Sequence, residues 1–289
     1  MGYVFHILVI AGIYVILAES LNLVVGFTGL PGMGHAAFSC AGAYISALLA
    51  LQFGASPWLG MLTGAMGAAI LGLVVAYPVL RLKGDYLALA TFGAGVIVYS
   101  VAKNWVSVTR GPMGLPGIPT FSVGRWTIDS PWSYLILVVI LAALITWACR
   151  NIAESPFGRD LKSIREDETA AIALGKNTGK FKLMVFVIGA FFAGIAGSLY
   201  AHFITFIDPS SFTTIESITI LLMVIFGGLG SISGSVVGAV VLVILPELMR
   251  FVGLQSSFAA PLRQMIYGLL IVLLMMWRPQ GILGKYRFR

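Results

Sequence analysis

The chain has 289 residues, of which 59% are hydrophobic and only 10% charged, with a mean hydropathy of +0.98. A soluble domain is roughly 45–50% apolar and about 25% charged, so that class is excluded. The net charge of +7 raises nucleic acid as a partner, but the basic residues sit beside apolar runs and form no face interleaved with aromatics, so no nucleic-acid partner is expected.

A helix that crosses the hydrocarbon core needs ~20 mostly apolar residues. Nine such windows follow in order, near 3–25, 34–53, 58–80, 86–102, 132–149, 182–203, 215–229, 234–252 and 263–278. They are continuous, whereas the strands of an outer-membrane barrel would alternate over ~10 residues. The expected fold is an all-α polytopic membrane protein, a bundle of about 8–10 transmembrane helices in one domain spanning 1–289. The opening M-G-Y-V-F-H-I-L has no positive n-region, so the first apolar run is expected to stay as a span. Cys40 and Cys149 both fall inside apolar runs and suggest neither a disulfide framework nor a metal site.

The first two windows carry no Lys or Arg, and Glu19 is the acid deepest in an apolar run, followed by Ser20 and Asn22. An ionisable group at membrane depth is a functional candidate by default, set here against a carboxyl that is simply satisfied in the bundle. Between the first two windows, residues 26–34 cluster glycines, and His35 follows that break, either tying down irregular backbone or touching a ligand. Residues 227–234 form a second glycine-rich break, and the two share F-x-G-L at 27–30 and 226–229, a sign of a duplicated element. Irregular backbone at membrane depth must be buried in protein or face a water-filled cavity. Gly29, Gly32, His35, Gly227 and Gly228 are therefore candidate pathway residues, with tight turns at the membrane surface as the alternative.

Arg81 and Lys83, seven basic residues from Arg150 to Lys182, and Arg278, Lys285, Arg287 and Arg289 make thirteen of the eighteen Lys and Arg. By the positive-inside rule they mark the cytoplasmic side. The connection 103–131, with its R-G-P-M-G-L-P-G-I-P run, is then extracytoplasmic, rich in turns and large enough to be a docking surface. Residues 150–181 form a cytoplasmic loop that carries the densest run of charge in the chain. Within it Pro156 follows Ser155 at a helix start, and Ser163-Ile164-Arg165-Glu166 has the S-x-x-E form of a capping box. A short helix over 164–174, with Glu166, Asp167 and Glu168 in its first turn and Gly175 as its stop, is expected to expose Ala170, Ala171 and Ala173. The G-K-N-T-G-K-F stretch at 175–181 lacks the first glycine and the hydroxyl residue of a phosphate-binding loop, so no nucleotide is expected here. Small residues spaced four apart, Gly60 and Gly64, Ala190 and Gly194, Ala193 and Gly197, and Gly230, Gly234 and Gly238, fit close helix packing or a subunit interface. Glu216 and Glu247 lie near the ends of later apolar runs.

Four blocks together resemble the membrane permeases of branched-chain amino-acid ABC importers, the LivM-like half. They are L-N-L-V-V-G-F-T-G at 21–29 running into G-H-A-A-F at 34–38 and G-A-Y at 42–44; R-L-K-G-D-Y-L-A at 81–88; S-P-F-G-R at 155–159 through R-E-D-E at 165–168 and 171–175; and G-G-L-G-S at 227–231 with Gly234. The family usually has a serine and an apolar residue where Pro31-Gly32-Met33 stands. The resemblance implies a multi-pass subunit of a bacterial cytoplasmic (inner) membrane importer that does no chemistry itself. It implies a LivH-like sister permease, two cytoplasmic ATPase subunits that bind ATP and Mg, and an extracytoplasmic substrate-binding protein. By the same resemblance, Arg165, Glu166, Asp167, Glu168, Ala170, Ala171 and Gly175 belong to a coupling helix that enters an ATPase cleft. Urea and short-amide permeases share most of these blocks and give the alternative substrate. A self-contained secondary transporter would show paired ionisable residues deep in the bundle. An intramembrane enzyme would need a nucleophile with a base in reach or a metal set, and three scattered histidines do not supply one.

Overall fold

The computed structural model describes residues 2–82, 84–123 and 126–250, with 265, 268–270, 272, 273, 276–278 and 280–284 in the C-terminal stretch. Among the described residues, seven helices are long and apolar enough to cross a membrane: α1 (Gly2–Thr28), α2 (Ala36–Phe53), α3 (Pro57–Val79), α4 (Asp85–Asn104), a fifth over Pro131–Glu154, a sixth over Thr178–Ile204, and a seventh running through a 3-10 turn over Pro209–Gly227. A further helix, Ile232–Arg250, contains a shorter apolar stretch. Eight of the nine expected windows thus coincide with a helix. The ninth, 263–278, lies largely outside the described residues, and those described within it up to 277 are helical. Lys83 and the tail residues Lys285, Arg287 and Arg289 also lie outside the described residues.

In chain order the remaining elements are α5 (Val106–Thr109), β1 (Leu115–Pro116), β2 (Ser122–Val123), β3 (Trp126–Thr127), α6 (Pro131–Glu154), α7 (Pro156–Glu166), α8 (Glu168–Ala173), α9 (Thr178–Ile204), β4 (Phe206–Ile207), α10 (Thr214–Gly227) and α11 (Ile232–Arg250). Three helices start with the same device. Ser56, Ser130 and Ser155 each precede a proline at the first helical position, and each hydroxyl accepts an amide of the first turn. Proline there loses no hydrogen bond and arrives with helical φ, while the serine satisfies one of the exposed amides.

The helix α1 is central, with 72% of its most apolar window buried, against 28% for α4 and for α6. It packs on α6, α9, α10 and α11, while α2, α3 and α9 make a second tight group. Close approach in that group depends on small residues. A Cβ on Gly64 would stand 2.5 Å from the Gly42 carbonyl oxygen, and one on Gly194 would stand 2.8 Å from the Ala65 Cα. The regularly spaced small residues therefore serve contacts inside this chain, where lipid supplies no hydrophobic drive between helices.

At one end of the bundle, residues 105–123 and 126–130 fold down onto the helices. β1 pairs antiparallel with β4 in the register Leu115↔Ile207, β2 pairs with β3, and Ile118 and Phe121 are buried. The Trp58 indole N–H donates to the Ser122 carbonyl at 2.8 Å. His202 Nδ1–H donates to the Pro119 carbonyl at 2.6 Å, which leaves Nε2 of the neutral ring to accept from the Ser46 hydroxyl at 2.7 Å.

Candidate functional site

At the opposite end of the bundle, the two glycine-rich breaks meet. α1 stops at Thr28, where Gly29 takes φ +69° and its amide bonds the Val25 carbonyl; α10 stops at Gly227, where Gly228 takes φ +118° and its amide bonds the Val224 carbonyl. The two F-x-G-L copies thus end two helices in the same way, with a positive-φ glycine just past the last turn.

Beyond Gly29 the chain turns back into the bundle. His35 Nε2 lies 2.7 Å from Ser20 Oγ, and Ser20 is eight residues before the end of α1, a depth of roughly 12 Å at 1.5 Å per residue. Ser20 gives its single proton to the Leu17 carbonyl at 2.8 Å and so accepts from His35 Nε2–H. The Ala36 amide, which opens α2, donates to Ser217 Oγ at 3.0 Å, and the Met33 amide donates to Thr91 Oγ1 at 3.1 Å. The first break is therefore a re-entrant segment and not a turn at the surface. His35 holds this backbone, and it also borders a narrow cleft with Gly32, Gly34, Phe38, Thr91 and Phe186.

The second break is held from α1. Asn22 Oδ1 accepts from the Gly230 amide at 2.9 Å, and its Nδ2 donates to the Ser231 carbonyl at 3.0 Å. One turn further along the same face, a Cβ on Gly26 would stand 2.5 Å from the Gly230 nitrogen. The first and last blocks of the resemblance, separated by about 200 residues, are thus two halves of one contact. Gly227 packs on the backbone of Gly234, and Gly228 is covered by the backbone of Gly281 and Gly284. Gly228, a candidate pathway residue, faces this cover and not a cleft, because residues 281–284 return over the break and the Leu283 amide bonds the Gly227 carbonyl at 2.9 Å.

The charged segment 155–182 adjoins the same end, but its helix boundaries differ from expectation. The capping box at Ser163 does not form: Ser163 lies inside α7 and its hydroxyl donates to the Asp160 carbonyl at 2.8 Å. The cap is Asp167, at a bend between two helices, whose Oδ1 accepts the Ala170 amide at 3.0 Å. An S-x-x-E pattern already inside a helix begun at Ser155 has no exposed amides to satisfy, whereas Asp167 does. Gly175 ends α8 with φ +78°, as expected. Ala171 does not reach the exposed face; it is 2% exposed, while Ile172 and Leu174 are 55% and 79% exposed. The bend rotates α8, so its alanine face splits between the bundle and solvent. Glu166, Asp167 and Ala170 are exposed. Glu168 pairs with Lys182 of α9 at 2.6 Å, which ties α8 to the base of a span. Arg165 turns inward and its Nη1 donates to the Gly26 carbonyl, while the Lys162 ammonium sits 5.5 Å from the Phe27 ring centre. Gly26 is in the last turn of α1, where carbonyls lack helical partners and a cation satisfies both the acceptor and the dipole.

Glu19, Glu216 and Glu247 each join α1 to another helix. Thr146 Oγ1 donates to Glu19 Oε2 at 3.0 Å, and Glu19 Oε1 is buried without a hydrogen-bond partner among the described residues. The Tyr14 hydroxyl donates to Glu216 and the Tyr3 hydroxyl to Glu247. Ser217 and Thr91 were not legible as site residues, since a hydroxyl in an apolar run carries no signal of which backbone it will meet.

The chain matches the family model described as branched-chain amino acid transport system / permease component over residues 3–275. It is 37% identical over 298 residues to the high-affinity branched-chain amino acid transport system permease protein LivM of Escherichia coli (strain K12), covering 95% of this chain and 68% of that protein. It is 27% identical to the probable branched-chain amino acid transport permease protein LivM of Methanocaldococcus jannaschii, covering 95% of this chain and 91% of that protein. It is also 26% identical to the high-affinity permease protein LivH of Salmonella typhimurium, covering 94% of this chain and 91% of that protein. With that match across the bundle and both breaks, the chain belongs to the family of branched-chain amino acid transport permease components.

Proposed function

We propose that this chain is one permease subunit of an ATP-driven importer and forms part of the route for leucine, isoleucine and valine across the cytoplasmic membrane. The observation that carries the reading is the family match over residues 3–275, and the two breaks held at membrane depth by Ser20 and Asn22 fit it. Such backbone is tolerated in a membrane where it lines a passage or is closed over by protein. The end that carries α7 and α8 faces the cytoplasm, and residues 105–130 face the exterior, where a substrate-binding protein docks. Relatives named LivM and LivH both align with nearly the whole chain, which supports pairing with a related sister permease. Two ATPase subunits bind ATP and Mg and hydrolyse the nucleotide, while this chain carries out no chemistry. Their movement reaches the route through α7 and α8, whose Arg165 grips the Gly26 carbonyl beside the second break.

The test is uptake of radiolabelled leucine in a bacterial strain without its own high-affinity system, complemented with this chain, its sister permease, the ATPases and the binding protein. Leucine uptake that needs every subunit, with no uptake of urea or short amides, is the expected result. Uptake that persists without the ATPases, or that serves urea in place of leucine, would overturn the reading.

A further inference from the structure

A cavity of about 140 Å³ lies among α1, α2, α9 and α10, on the outer side of the first break. Its floor is the start of α2: Ser39 lines it, one turn beyond His35. Its polar wall is formed by Tyr14 and Glu216, whose side chains meet, and Glu216 is adjacent to the Ser217 that receives the α2 amide. Its apolar wall is formed by Ile13, Leu17 and Phe212. Tyr14 lies near the middle of the 27-residue α1, so Glu216 is a carboxylate at membrane depth beside an opening. Ionisable groups there face a water-filled space or the bundle interior and mark ligand or ion routes.

We infer that this cavity is a transient binding site for a small zwitterion with a branched aliphatic side chain, with Glu216 receiving the ammonium group. The inference rests on the substrate class given above and adds where on this chain that substrate pauses. An apolar cavity of roughly 150 Å³ takes up benzene, so the four-carbon side chain of leucine fits the Ile13, Leu17 and Phe212 wall. A carboxylate is the complement of an ammonium group, and a charge-assisted hydrogen bond in a partly dry site is about twice as strong as a neutral one. Tyr14 orients the Glu216 carboxylate from α1. The ligand's own carboxylate then lies toward Ser39, whose hydroxyl lines the cavity and turns from the Ala36 carbonyl to donate to it. A lysine-like or acidic side chain would have no matching group on the apolar wall.

The test uses the assembled permease and ATPase complex in nanodiscs without the binding protein, so that binding reports on the membrane subunits alone. A Ser211→Cys variant places a thiol at the cavity, with this chain's own Cys40 and Cys149 buried and the cysteines of the partner subunits replaced by serine beforehand. Millimolar leucine is expected to slow labelling of that thiol by a methanethiosulfonate, whereas glutamate and 4-methylpentanoate, which lacks the ammonium group, leave the rate unchanged. In equilibrium dialysis, Glu216→Gln is expected to weaken leucine binding roughly tenfold or more. Absence of leucine protection at Ser211→Cys would overturn the site, and equal protection by 4-methylpentanoate would overturn the role of Glu216. Should Glu216→Gln fail to assemble, the protection pattern in the Ser211→Cys complex still decides. If the complete wild-type importer takes up leucine while no protection is seen, the cavity assignment fails and the proposed function stands.

Discussion

Asn22→Leu removes the side-chain amide that joins α1 to the second break while keeping the same number and branching of side-chain heavy atoms in a position that is 1% exposed. The Gly230 amide, bonded at 2.9 Å to Asn22 Oδ1, is then left without that acceptor in a part-buried site. Stranding a buried donor costs ~1–3 kcal/mol, and losing a hydrogen bond whose acceptor keeps another partner costs about 1 kcal/mol. The Ser231 carbonyl is the second case, because it still accepts the Ser235 amide at 3.1 Å. The sum is about 2–4 kcal/mol of local stability, and at ~1.4 kcal/mol per factor of ten this is a roughly 30- to 700-fold increase in opening of the break. Hydrogen exchange of a peptide spanning residues 228–235, measured in the assembled complex, reads that opening directly. Exchange within threefold of wild type, with normal assembly, would show that Asn22 does not hold the break and that the reasoning is wrong.

Arg165→Met should leave the subunits assembled while leucine uptake per ATP hydrolysed falls about tenfold, since one charge-assisted link between α7 and the last turn of α1 is lost; unchanged coupling measured in proteoliposomes would place that link outside the stroke. Leu174→Asp should weaken ATPase co-purification without lowering the melting temperature of the permease, whereas Ala171→Glu should lower the melting temperature, because Leu174 is exposed and Ala171 is buried; the reverse pattern would refute this orientation of α8. Asp129 is held below its ordinary carboxylate value of 3.8 by hydrogen bonds from Thr120 and Thr127. Its contribution is therefore present above pH 3.8 and is lost as the pH falls below it, and Thr120→Val should move its titration, followed by NMR, back up. In intact cells an impermeant maleimide should label Met113→Cys and spare Leu174→Cys, both positions being exposed but at opposite ends of the bundle; equal labelling would reject the sidedness.

The spans were legible because a lipid-facing or core helix has to be apolar for ~20 residues whatever it packs against. The breaks were legible as well, since clustered glycines stand out in such runs. Their depth was not, because it depends on which polar side chain receives the backbone: Ser20 and Asn22 read alike as minor polar residues in a long apolar helix, yet one holds each break. The bend at Asp167 escaped a local reading for a related reason. Ser155 and Ser163 both precede plausible helices, and only the continuity of α7 through Ser163 decides that the later pattern is interior. The burial of Ala171 depends on that bend, so it could not be read from a helix drawn straight through residues 164–174.

The hydrogen bond between Asn22 and Ser231 spans 209 residues of sequence. At a synthesis rate of ~5–20 residues per second, the first span waits roughly 10–40 s in the membrane before its second break partner has been made. During that interval Asn22 has neither of its later partners, and Glu19 waits for Thr146, 127 residues on, although the helix that carries them is already long enough to span. The most buried span of the finished bundle thus stands without its Asn22 anchor until late in synthesis, and its early guardianship falls to the insertion machinery, with lipid a poor substitute.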